Sequence, residues 1–166
     1  SGVDQHFGEY KLIRLMSDWP FTDSPVEPVL PKPATTEERL GRALYDQEVD
    51  WATGQRRLRD YYARGSNRHE YLRVSLILAD AFPFSAQDQL TAGRALIRAD
   101  RHLQAVRYLL LADRYRPDDV STLIELSRAC LASGLRDLGG ETLERALQID
   151  PSNRQAQRML RSLQGR

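Results

Sequence analysis

An all-α helical-repeat solenoid is the fold class this sequence predicts, and three observations predict it. Pro83, Pro117 and Pro151 lie 34 residues apart, twice over. Between breakers at Gly65-Ser66-Asn67, Pro83, Asp100, Pro117-Asp118-Asp119, Gly134 and Pro151 run segments of about 13–16 residues, each long enough for one helix. No strand-like alternation appears beyond residue 36. A fixed period in the range of about 20–50 residues marks stacked units that share one continuous core.

Taken in order, residues 1–36 stand apart. They hold Pro20, Pro25, Pro28, Pro31 and Pro33, and three bases against five acids, a net −2, while residues 37–166 carry +3. Proline at that density excludes helix and favours extended chain, so an arm or linker is expected. Phe7, Tyr10, Trp19 and Phe21 are costly to leave in water, which keeps a recognition segment open as a second reading. The helical domain then spans 37–166. Thr36-Glu37-Glu38 reads as a cap followed by first-turn acids. Leu40, Ala43, Leu44 and Val49 continue a helix over 37–49.

The repeat is clearest in 86–119 and 120–153. Offset by 34, they match at Arg94/Arg128, Ala95/Ala129, Leu109/Leu143 and Ala112/Ala146. A looser unit occupies 52–85. Leu58, Tyr62, Leu78 and Pro83 keep the frame, but Arg59 and Tyr71 stand where small residues belong, so its helices must pack differently. Residues 152–164 form a last amphipathic helix, with Met159, Leu160 and Leu163 covering the open end of the stack.

These residues resemble the tetratricopeptide repeat family, a 34-residue helix–turn–helix. Its pattern falls on Leu123, Leu126, Ser127, Cys130, Gly139, Leu143, Ala146 and Pro151 in the third unit. In the second it falls on Ala92, Gly93, Leu96, Ala105, Leu109, Ala112 and Pro117. Gly93, Ala105, Ser127 and Gly139 are small where the helices of a pair must approach closely, and Leu109 and Leu143 fill the space between them. Ala112 and Ala146 are small where a second helix meets the next repeat. The resemblance implies a right-handed solenoid of about three helix pairs, with an extra N-terminal helix and a C-terminal capping helix.

Composition bounds what such a stack does. The 166 residues are 41% hydrophobic, enough for one cored domain, with no apolar run of membrane-spanning length and no signal peptide. The Ser1-Gly2 start reads as a cloning scar, so a missing signal or anchor says little about compartment. Net charge is +1, so no overall basic field is present. Of the cationic residues only Lys11 and Lys32 are not arginine, the usage of a high-GC bacterial genome or a choice of the planar guanidinium fork. Cys130 is the only cysteine and sits at a core position.

No chemistry emerges. His6, His69 and His102 share no metal-ligand spacing with each other or with Cys130. Gly139-Gly140 belongs to no phosphate loop, and no nucleophile elbow occurs. The expectation is a non-enzymatic protein with no cofactor and no metal.

The family resemblance also implies a concave face lined by the first helix of each repeat. Its positions map to Arg56, Arg57, Asp60 and Arg64, then Gln87, Leu90, Thr91, Arg94, Ile97 and Arg98, then Ser121, Ile124, Glu125, Arg128, Leu131 and Ala132. Six arginines oppose two acids, a net +4, and Leu90, Ile97, Ile124 and Leu131 are expected to form an apolar strip between them. Such a face suits a peptide that carries acidic and apolar residues. The family's best-known ligand, a C-terminal carboxylate, requires Lys and Asn at positions held here by Leu90, Thr91, Arg94, Ile124, Glu125 and Arg128. The reading is therefore an adaptor or scaffold for an acidic and apolar segment, set in bacterial secretion or envelope assembly. A dedicated chaperone for a secreted or assembling subunit stays open. So does nucleic-acid binding through 55–73, where six arginines and two acids surround Tyr61, Tyr62 and Tyr71. Homo-oligomers, and docking of the arm on the groove, are the self-associations considered.

Overall fold

The computed structural model describes residues 32–165, and there the chain is helical throughout. The helices are α1 (Thr36–Tyr45), α2 (Trp51–Arg64), α3 (Arg68–Ala81), α4 (Ala86–Arg98), α5 (His102–Tyr115), α6 (Val120–Ala132), α7 (Arg136–Ile149) and α8 (Arg154–Gln164). Pairs α2/α3, α4/α5 and α6/α7 are the three repeats, with α1 before them and α8 after. The fold is all-α and built of stacked helical repeats. The arm expected over residues 1–36 lies outside the described residues, apart from 32–36.

The boundaries recur because their causes recur. Ser85, Asp119 and Asn153, spaced by 34, each accept a hydrogen bond from a backbone N–H of the helix they open. Each sits two residues after one of the periodic prolines. Within the repeats, the turn between helices places Ser66, Asp100 and Gly134 in the left-handed region, at φ 57°, 56° and 80°, again 34 apart.

Two expectations about α1 are corrected. Its cap is Thr35, not Thr36: Glu38 N–H donates to Thr35 Oγ1, and Glu38 Oε2 accepts from the Thr35 N–H in return. The helix also stops at Tyr45 rather than running to 49, because Gln47 takes φ 55°, which no α-helix continues through.

Close approach within pairs is set by glycine. A Cβ on Gly93 would lie 2.5 Å from Leu109 Cγ, and one on Gly139 would lie 2.7 Å from Leu131 Cδ2. Ser127 adds a buried hydrogen bond from Oγ to the Gly139 carbonyl, at 2.9 Å. The first pair solves the same problem in reverse. Where Leu109 and Leu143 stand it carries the small, fully buried Ser75, which leaves room for Arg59 on the facing helix. Arg59 stays 14% exposed because its guanidinium reaches Asp88, the paired carboxylate at the start of α4. Tyr71 packs against the cluster of Leu58, Tyr62, Val74 and Leu78.

Helix α1 is seated on α2 in the same way. A Cβ on Gly54 would overlap Leu44, and the Tyr62 hydroxyl donates to Glu37 Oε1 at 2.5 Å. At the other end, α8 buries Ala156 and packs Met159 and Leu160 onto Leu123, Ile124 and Leu143.

Candidate functional site

The first helices α2, α4 and α6 are joined side by side by a polar ladder. Arg56 Nη2 donates to Asp88 Oδ2 at 2.8 Å, and Arg59 Nη1 to Asp88 Oδ1 at 3.1 Å. Ser85 Oγ donates to the same carboxylate at 2.8 Å. One repeat further on, Arg94 Nη2 donates to Ser121 Oγ at 2.5 Å and Arg94 Nε to Glu125 Oε1 at 3.4 Å, while Arg128 Nη1 donates to Glu125 Oε2 at 2.9 Å. Burial of Asp88 pushes its carboxyl up, but the bonds from Arg56, Ser85 and Arg59 outweigh this and hold it below the usual carboxylate range. Neither Arg59 nor Asp88 was among the expected groove residues. The mark each carries in sequence is a residue that breaks the repeat: an arginine at a small position, and a carboxylate three residues after a helix cap.

The expected face therefore divides into three parts. Arg56, Arg94 and Arg128 are tied to carboxylates of neighbouring turns or helices. Arg57 and Arg64 are exposed on α2 with no carboxylate partner among the described residues. Arg98, exposed at the end of α4, lies 6.0 Å over the ring of Tyr71 and likewise has no carboxylate partner among the described residues.

The apolar strip is corrected. Leu90 and Ile124 are 5% and 7% exposed and belong to the core, where the stacking of adjacent repeats covers them. Ile97 and Leu131 are half-buried, packed at the edges of the same clusters, and Leu131 fills the space above Gly139. The tyrosines of 55–73 also face inward: Tyr62 is 4% exposed, and Tyr61 and Tyr71 are half-buried beside it. Cys130 is fully buried, which pushes its thiol upward. Among the described residues no three His, Cys, Asp or Glu gather as a metal-binding group, and no helix is long and apolar enough to cross a membrane.

No family model and no curated protein matches the chain. Solved structures do. The first tetratricopeptide domain of Spaghetti (RPAP3), solved with the HSP90 peptide SRMEEVD, superposes with a TM-score of 0.63 at 18% identity, covering 69% of this chain and 90% of that one. The Arabidopsis OM64 tetratricopeptide domain gives 0.62 at 12% identity, with 69% and 94% covered. The TPR2B domain of yeast Sti1, in complex with pHsp70, gives 0.61 at 20% identity, with 69% and 98% covered. Matching period, small-residue positions and superposition agree: this chain has the tetratricopeptide-repeat fold.

Proposed function

We propose that the protein is a non-enzymatic interaction module, an adaptor or scaffold that holds an acidic segment of a partner protein across the first helices of its repeats. The observation that carries this is the trio Arg57, Arg64 and Arg98. They are cations exposed on first helices, on a protein whose net charge is only +1, and no carboxylate among the described residues answers them. Planar guanidinium groups left unpaired are suited to bidentate contacts with partner carboxylates. Arg94 and Arg128 serve the scaffold instead, because Glu125 holds both. The partner's acidic residues therefore lie over α2 and α4.

Two neighbours of the fold support the class of ligand. The first domain of Spaghetti (RPAP3) was solved with SRMEEVD, and the second domain of human RPAP3 with SGPTIEEVD, peptides that each carry three acidic residues. The present groove differs in what it offers a chain terminus, with Leu90, Thr91, Arg94, Ile124, Glu125 and Arg128 at the positions where a carboxylate clamp needs Lys and Asn, so an internal acidic segment is the better fit. Ile97 and Leu131 are the apolar edge that remains for its hydrophobic residues. The arginine-rich composition suits a bacterial source, and secretion or envelope assembly is the setting we propose for it because small modules of this resemblance serve there.

The test is affinity capture from cells of the source, with wild type beside Arg57→Glu/Arg64→Glu/Arg98→Glu, read by mass spectrometry. A protein retained by wild type, lost by the variant and released by moderate salt is the expected result. Identical captured sets on both baits overturn the groove assignment.

A further inference from the structure

The middle second helix, α5, carries apolar residues on its outer face. Leu103, Arg107, Leu110 and Arg114 form one row at helical spacing, on the side opposite the buried Ala105, Leu109 and Ala112. Leu103 is 68% exposed and Leu110 42%. Half-buried Leu111 flanks the row on one side and buried Val106 on the other, and these six residues line a shallow groove. From Leu103 to Arg114 it runs about 16 Å, the length of three helical turns.

The repeat offset shows how unusual this row is. On α7 the same positions hold Asp137, Glu141, Glu144 and Gln148, an ordinary solvated face. On α3 they hold His69, Arg73, Leu76 and Asp80, and the single leucine there is half-buried against the core of the next repeat. One exposed leucine is common on a protein surface; two of them two turns apart, with a third beside them, make a patch. Helix α5 has a whole helix pair on either side of its own, so neither end of the stack bears on this face.

Charge adds a second observation. Arg107 lies 5.6 Å over the ring of Tyr108, and neither it nor Arg114 has a carboxylate partner among the described residues. The acids beside them are engaged elsewhere. Asp113 accepts two bonds from Arg145, at 2.9 and 3.2 Å, and Asp80 accepts from the Tyr108 hydroxyl at 3.1 Å. The row therefore offers leucine and unanswered guanidinium in alternation, each kind recurring every two turns.

That pattern selects the occupant. A second copy docked on the same row about a two-fold axis would set arginine against arginine. The α7 row of a second copy would bring acids but nothing apolar for Leu103 and Leu110. A helix with apolar residues along one face and carboxylates beside them answers both.

We infer that the outer face of α5 is a second docking surface, independent of the first-helix face, and that it takes an acidic amphipathic helix of another protein. Its leucines supply the apolar contact, and Arg107 and Arg114 pair with carboxylates two turns apart on the incoming helix.

Site-specific photo-crosslinking in cells of the source tests this, with p-benzoylphenylalanine in place of exposed Gln104, beside the row, or of Glu144 on α7 as the control. The expected crosslink from position 104 maps to a helical segment of another protein with apolar residues on one face and acids beside them, and position 144 does not give it. Leu103→Ser/Leu110→Ser and Arg107→Glu/Arg114→Glu each lower its yield at least about fivefold while keeping the melting temperature, because all four side chains are exposed. Arginine in place of the acids of the captured segment restores the yield with Arg107→Glu/Arg114→Glu. Arg57→Glu/Arg64→Glu/Arg98→Glu leaves the yield unchanged, which separates this surface from the first-helix face. No crosslink from position 104, a crosslink to this chain's own sequence in the same or another copy, a captured segment without that pattern, or a yield insensitive to the two variants overturns the inference.

Discussion

Leu109 occupies the space in which a side chain on Gly93 would stand, with its Cγ 2.5 Å from the position of the missing Cβ. That contact joins α4 to α5 and lies in the fully buried part of the core. Gly93→Val is expected to destabilise the protein by about 1–3 kcal/mol through overpacking. Pairing it with Leu109→Ala should recover part of the loss, because the smaller partner vacates the space. Urea midpoints of the two singles and the double measure this; strictly additive losses would count against the contact.

The Asp88 carboxylate gives a pH dependence with a definite sign. Its folded pKa is depressed, so its contribution is fully present above the unfolded value of about 3.9 and is lost as pH falls through the folded value. Asp88→Asn should lower stability by about 1–3 kcal/mol at neutral pH, because two guanidinium groups lose a charged acceptor. Denaturant unfolding at pH 7 and near pH 3 should show the gap between wild type and variant closing in acid. A gap independent of pH would assign the loss to packing instead.

Left-handed turn residues offer the opposite sign. Ser66 and Asp100 hold φ 57° and 56°, a conformation that Gly134 adopts at the equivalent turn without a Cβ penalty. Ser66→Gly and Asp100→Gly should each raise stability, by about 0.5–1 kcal/mol after the entropy of the unfolded glycine is counted. Calorimetric melting would register the gain as a higher midpoint, and a lower midpoint for both would contradict the turn geometry.

Arginines on the same face should respond differently to charge reversal. Arg94→Glu/Arg128→Glu sets two new carboxylates around Glu125 and removes the bond from Arg94 to Ser121. A loss of about 1 kcal/mol or more is expected. Arg57→Glu/Arg64→Glu touches no carboxylate pair and should change stability by less than about 0.5 kcal/mol. Thermal melts of the two doubles side by side decide the matter, and equal losses would remove the distinction between scaffold and free arginines.

How much of this could be read in advance differs from element to element. The close packing within the α4/α5 and α6/α7 pairs is legible in the sequence, because Gly93, Ala105, Ser127 and Gly139 are small for a reason that acts within one repeat. Gly54 passed unnoticed, since the α1–α2 contact it admits lies outside the repeat pattern. Helix α1 was extended too far because Val49 continues the apolar spacing, while the left-handed Gln47 that ends it has no strong sequence mark. Leu90 and Ile124 fall at positions that the family resemblance assigns to the groove, but adjacent repeats cover them.

By itself, then, the sequence determined the period, the turns and the positions where helices close on one another. Each of these depends on backbone preference or side-chain volume over a few residues, and the 34-residue recurrence repeats the same local solution. Only the tertiary structure decided which arginines are bound and which are free. Arg56, Arg59 and Arg94 find their partners 27 to 32 residues away, across the seam between repeats. Which charges face each other there follows from how the repeats stack, and stacking is a property of the assembled solenoid rather than of any one segment.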